Sequence, residues 1–157
     1  MMITVERVDA GTVLGLRAAI LRPGLPAGQA AYAQDEDPRT VHLAAFDDLG
    51  TVVGCSTWFP QPWRDRPAWR LRGMATAATV RGTGVGGRLL TAGLSAAERG
   101  GALHAWANAR TVALGFYRHY GFSAVGPQFL TAQAIPHYLI WRALGPTAAA
   151  GPPAPGP

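Results

Sequence analysis

Hydrophobic and polar positions alternate along Ile3 to Val8, which predicts a first strand. Val13, Leu14, Leu16, Arg17 and Ile20 then recur at helical spacing, so Ala10 to Leu21 reads as a helix with Asp9 as its N-cap. Arg22-Pro23-Gly24-Leu25-Pro26 stops it. Gln29 to Gln34 reads as a short helix, and Asp35-Glu36-Asp37-Pro38 as an acidic turn. His42 to Phe46 and Val52 to Phe59 are β-rich runs joined by Asp47-Asp48-Leu49-Gly50, a hairpin signal. Trp69 to Thr76 is the next strand, after a Pro- and Arg-containing loop. From Gly84 to Arg99 the apolar residues Val85, Leu89, Leu90 and Leu94 share one helical face. Gly100-Gly101 closes that helix. A strand over Leu103 to Ala107, a helix over Arg110 to Tyr120 and two strands, Phe122 to Leu130 and Ile135 to Leu144, complete the pattern.

The predicted fold class is α+β: a mixed, mostly antiparallel sheet of about seven strands flanked by helices. One domain over residues 1–144 accounts for all the periodic segments. Residues 145–157 are Pro-, Ala- and Gly-rich and read as a disordered tail.

Composition narrows the class. The chain has 157 residues, of which 48% are hydrophobic, so a packed core is expected. No apolar run approaches the ~20 residues of a membrane span, and the N-terminus lacks the pattern of a signal peptide. Cys55 is the single cysteine, which excludes an internal disulfide and a cysteine-based zinc site. A soluble cytoplasmic protein without a metal fits these features. The net charge is +5, every basic side chain is arginine, and the arginines are scattered. That spacing does not suggest a nucleic-acid surface.

The chemistry concentrates at Arg81-Gly82-Thr83-Gly84-Val85-Gly86-Gly87-Arg88. Strand, glycine turn and helix in succession present backbone N–H groups to a phosphate, aided by the helix dipole. As a dinucleotide fingerprint the turn is weak, because the β–α repeats of that fold are absent. No Gly-Lys-Ser/Thr follows, so it is not a P-loop.

Arg81-x-x-Gly84-x-Gly86 resembles the Arg/Gln-x-x-Gly-x-Gly/Ala signature of the GNAT superfamily of N-acetyltransferases. Downstream, Ala113-x-x-Phe116-Tyr117-x-x-x-Gly121-Phe122 resembles that family's second motif. The resemblance covers residues ~3–144. It implies acetyl-CoA as co-substrate and an amine, small-molecule or peptide, as acceptor. No nucleic-acid or membrane partner is implied, and a homodimer stays open. The resemblance places the CoA pyrophosphate on Arg81, Gly82, Thr83, Gly84, Val85, Gly86 and Gly87, with Arg81 or Arg88 pairing a phosphate. Met74, Ala75 and Thr76 would hold the pantetheine arm through their backbone. A bulge at Gly73 would aim an N–H at the thioester carbonyl. Tyr117 takes the family's general-acid position, with Tyr120 as the fallback.

Two family features do not carry over directly. The slot of the family's cofactor-contacting Asn holds Arg110, and Asn108 lies two residues earlier. The strand Glu that often serves as base is replaced by Arg70 and Arg72, which leaves His137, Glu36 and Asp35 as candidates. Arg22, Trp63, Arg72, Phe129 and His137 are candidate walls of the acceptor site. The competing reading is an acyl-CoA sensor or interaction module of the same fold that does not turn over.

Overall fold

The computed structural model describes residues 2–145. It contains seven strands, β1 (Thr4–Val8), β2 (Val41–Phe46), β3 (Val52–Pro60), β4 (Ala68–Thr76), β5 (His104–Arg110), β6 (Ser123–Leu130) and β7 (Pro136–Ala143). Three α-helices accompany them: α1 (Ala10–Leu21), α2 (Val85–Arg99) and α3 (Leu114–His119). The sheet order is β1-β2-β3-β4-β5-β7-β6. The β1–β2, β2–β3, β5–β7 and β6–β7 ladders are antiparallel, and β4 pairs β5 in parallel from Ala68↔His104 to Arg70↔Trp106. This is the mixed seven-stranded sheet that the hydrophobic pattern predicts. The proposed tail falls, from residue 146 on, outside the described residues.

The chain forms two compact units. One comprises the described residues up to Pro60 together with Leu71–Ala96; the other takes Gln61–Arg70 and the described residues from Ala97 on.

In the first unit the elements follow from local chemistry. Asp9 caps α1, its carboxylate accepting from the N–H of Thr12 at 3.0 Å. Asp47 builds the β2–β3 turn by accepting from the N–H groups of Leu49 and Thr51, each at 2.9 Å. Val13, Ala44, Cys55 and Ala75 form a buried cluster, and Val85, Leu89 and Leu90 are buried along α2 as their spacing requires. Close packing of α2 on β3 demands two glycines. A Cβ on Gly54 would lie 2.7 Å from a Leu89 methyl, and one on Gly93 only 1.8 Å from the Trp58 ring. The segment expected as one short helix is instead two 3₁₀ turns, Ala27–Ala30 and Ala33–Glu36. The break comes at Tyr32, whose extended backbone gives its N–H to the Asp35 carboxylate at 2.9 Å.

In the second unit, β5 runs further than expected. Antiparallel pairing with β7 continues to Arg110↔His137, so Asn108 lies inside the strand rather than at its end. The helix expected over Arg110 to Tyr120 is accordingly shortened. Arg110 closes β5, a 3₁₀ turn spans Thr111–Ala113, and α3 begins at Leu114. Trp63, Ala68 and Trp106 make the buried cluster here, with Trp141 stacked on Trp63 at 5.0 Å between centroids.

Candidate active site

The glycine turn lies in the first unit, between the end of β4 and the start of α2. A 3₁₀ turn over Ala78–Val80 leads into it, and the N–H of Thr83 closes on the carbonyl of Val80 at 3.2 Å. The Thr83 hydroxyl donates to the same carbonyl. Gly82 and Gly84 have φ of +78° and +86°, the left-handed region that a side chain disfavours. No atom would approach within 4 Å of a Cβ at either position, so the backbone face there is open. The first intrahelical bond of α2 runs from the N–H of Arg88 to the carbonyl of Gly84 at 3.1 Å. Helix geometry therefore leaves the N–H groups of Val85, Gly86 and Gly87 without an intrahelical acceptor. Exposed glycine backbone at the start of a 15-residue helix is the arrangement that suits a pyrophosphate. Arg81 is exposed and reaches back to the carbonyl of Thr76 at 3.3 Å. Arg88 donates instead to the carbonyl of Ile3 at 2.7 Å, which engages one of the two candidate phosphate arginines at β1.

Strand β4 enters this turn through Gly73, Met74, Ala75 and Thr76. Gly73 has φ of +66°, the conformation of a glycine in a G1-type bulge. Its carbonyl accepts from the Cys55 thiol at 3.5 Å. Ala75 is buried, and Met74 and Thr76 are half-buried.

The same unit holds a polar network that the sequence reading did not find. Arg17, on α1, is 1% exposed. It binds the Asp35 carboxylate through both ends of its fork, at 2.8 and 3.1 Å. It also donates to the carbonyl of Ala30 at 3.0 Å and to the Thr57 hydroxyl at 2.7 Å. His42 completes the chain. Its Nε2 lies 3.0 Å from the Asp35 carbonyl, which can only accept, so Nε2 carries the proton. Nδ1 then accepts from the Thr57 hydroxyl at 2.9 Å. Burial would raise the Asp35 carboxyl, but the bonds from Arg17 and from the Tyr32 N–H outweigh it and hold the group below its ordinary value. A carboxylate so held is a poor base, which removes Asp35 from the candidates. The one signal in the sequence was an arginine at an apolar position, four residues after Val13.

The second unit holds Tyr117, Asn108 and His137. Tyr117 lies on α3, 7% exposed, edge-on to Phe116 and Phe122 at 5.1 and 5.7 Å. The helix ends in a Schellman motif: Phe122 N–H to Tyr117 carbonyl at 3.1 Å, and Gly121 N–H to Arg118 carbonyl at 3.0 Å. Gly121 supplies the required φ of +89°. The spacing Phe-Tyr-x-x-x-Gly-Phe thus has a physical basis, because it locks the Tyr117 ring against Phe122. Burial pushes the Tyr117 phenol well above its ordinary value. Asn108 is exposed on β5, opposite Leu139. His137 has Nδ1 2.7 Å from the Ile135 carbonyl and its ring stacked on Phe129 at 5.9 Å. In the neutral ring that bond puts the proton on Nδ1 and leaves Nε2 as the basic nitrogen.

Comparison with known proteins decides the family. Residues 16–122 match the Acetyltransferase (GNAT) family. The chain belongs to that family. A Bacillus subtilis (strain 168) relative, described as the uncharacterized N-acetyltransferase YitI, is 28% identical over 91% of this chain and 97% of its own. The fold is shared with a GCN5-related N-acetyltransferase from Kribbella flavida, with a TM-score of 0.70 and 23% identity. That match covers 90% of this chain and 98% of the other. It is shared also with a chain of the NatC complex bound to Gag peptide and CoA, with a TM-score of 0.77 and 18% identity over 92% of this chain and all of that one. GNAT enzymes are acyl-CoA-dependent acyltransferases that use acetyl-CoA and act on amines. Among the described residues of this GNAT protein, no three His, Cys, Asp or Glu side chains gather as a metal site, and no helix is long and apolar enough to cross a membrane.

Proposed function

We propose that this GNAT protein transfers the acetyl group of acetyl-CoA to a primary amine by direct attack in a ternary complex. The observation that carries the reading is the exposed glycine turn, Arg81 to Gly84, at the head of α2 in a chain of this family.

The N–H groups of the turn receive the pyrophosphate, and Arg81, whose guanidinium lies at the surface, neutralises one phosphate. The backbone of Met74, Ala75 and Thr76 pairs with the pantetheine amides as an added strand would. The amine nitrogen attacks the thioester carbon. Negative charge then develops on the carbonyl oxygen, and the backbone N–H set by the turn at Gly73 stabilises it. Collapse breaks the C–S bond, and Tyr117 donates its proton to the departing thiolate. The amine gives up its own proton to Nε2 of His137 or to solvent. Asn108, on the exposed side of β5, contributes a further polar contact to the cofactor. No cysteine is available to form an acetyl-enzyme, since Cys55 is buried and its thiol is pushed up to about 11.

The test is CoA release from acetyl-CoA, followed as free thiol, across a panel of amines. Turnover with at least one amine, and a fall of 10²-fold or more in kcat for Tyr117→Phe, is expected. Unchanged turnover in that variant removes Tyr117 from the mechanism, and no release with any amine rejects the transferase.

A further inference from the structure

Two arginines of the first unit, Arg17 and Arg72, lie beside Gly73, one in space and one in sequence. Arg17 is already neutralised, since both ends of its fork bind Asp35. Arg72 is in neither of the ion pairs Arg17–Asp35 and Arg39–Asp37. Arg72 lies instead over the ring of Tyr32, its Cζ 3.9 Å from the centroid.

Tyr32 is built to hold that position. Its N–H is bound by Asp35, and Asp35 is bound by Arg17, which also lies over the Tyr32 ring at 4.1 Å. Arg17 is tied in turn to Thr57 and through it to His42. A stacked guanidinium keeps its five N–H groups in one plane, and these suit a planar, two-oxygen partner. Arg72 is partly buried, and burial first, then the charges of Arg17 and Arg22, work against its own charge more than Tyr32 and Asp35 support it. A bound anion would relieve that cost. The Tyr32 ring that carries Arg72 also lies 3.2 Å from where a Cβ on Gly73 would stand, so the guanidinium and the Gly73 backbone share one aromatic neighbour.

We propose that the acceptor of this enzyme is an amine that also carries a carboxylate, and that Arg72, stacked on Tyr32, binds that carboxylate. The proposal rests on the transferase reading above. A guanidinium and a Gly73 backbone that share the Tyr32 ring suit an acceptor whose amine and carboxylate are a few bonds apart. That describes a free amino acid or the end of a short peptide.

The experiment measures kcat and KM at saturating acetyl-CoA for α-amino acids, ω-amino acids and dipeptides, each beside its own C-terminal amide. Phosphoethanolamine beside ethanolamine tests phosphate as the anion. The variants are Arg72→Met and Arg72→Lys, and CoA affinity is measured for each. The wild type is expected to favour acids over amides by at least tenfold in kcat/KM, mainly through KM. Arg72→Met should abolish the preference while leaving CoA affinity unchanged, and Arg72→Lys should restore part of it. The better of the amino-acid and dipeptide arms identifies the source of the carboxylate. Equal use of acids and amides by the wild type overturns the proposal without touching the transferase reading. So does a preference for phosphoethanolamine over every carboxylate, or a loss of CoA affinity in Arg72→Met, which would assign the arginine to a CoA phosphate. Absence of turnover with acids and amides alike overturns the acceptor class, and the transferase reading falls with it only when no other amine of the panel releases CoA.

Discussion

Arg17 and Gly73 meet so closely that no side chain fits between them: a Cβ on Gly73 would lie 2.8 Å from Arg17 Nε. The same glycine has φ of +66°, which an L side chain disfavours on its own account. Gly73→Ala therefore combines backbone strain with displacement of a buried arginine. It is expected to lower stability by about 1–3 kcal/mol in chemical denaturation, and to reduce turnover more than CoA affinity.

The Arg17–Asp35 pair makes a pH-dependent contribution whose sign follows from its geometry. The Asp35 carboxyl is held below its ordinary value in the fold and returns to about 3.9 when the chain unfolds. Its contribution is thus complete above about pH 4 and is lost as the pH falls through the folded value. Asp35→Asn removes the charge partner of an arginine that is 1% exposed, at a cost of roughly 3 kcal/mol or more. Urea unfolding at neutral and acid pH should show a smaller acid loss in Asp35→Asn than in the wild type.

Gly93 on α2 meets the Trp58 ring with no room for a methyl group, at 1.8 Å. Gly93→Ala is expected to destabilise by about 3 kcal/mol or more, beyond the gain in helix propensity. Trp58→Leu in the same chain should recover part of that loss. A fully additive double variant would show that the two residues are not in contact.

Cys55 is fully buried and burial pushes its thiol up to about 11. The native protein should not react with a thiol reagent at pH 8 and should release one equivalent on denaturation. CoA release can then be read without background from the protein.

Much of the fold could be read from local pattern. The Asp9 cap, the Asp47 turn and the apolar face of α2 act within a few residues, and the structure places each as read. The length of β5 was not readable, because its last residues are held extended by β7, which lies about 30 residues further on. The glycine turn and the Phe-Tyr helix are both local motifs, so their positions were legible. The Arg17 network was not. Its partners Asp35 and Thr57 stand 18 and 40 residues away, and only folding shows that they converge on one guanidinium. The role of Tyr32 as a platform for two arginines was hidden for the same reason.

The central claim is that the open glycine turn binds the CoA pyrophosphate, and calorimetric titration of CoA onto wild-type protein and Gly84→Ala tests it most directly. Gly84 has φ of +86° with open space around it, so the variant alters the backbone N–H directions without a clash. The account predicts one saturable CoA site in the wild type, at least tenfold weaker in Gly84→Ala, with stability changed by no more than ~1–2 kcal/mol. No saturable binding to the wild type, or equal affinity in the two proteins, would contradict it.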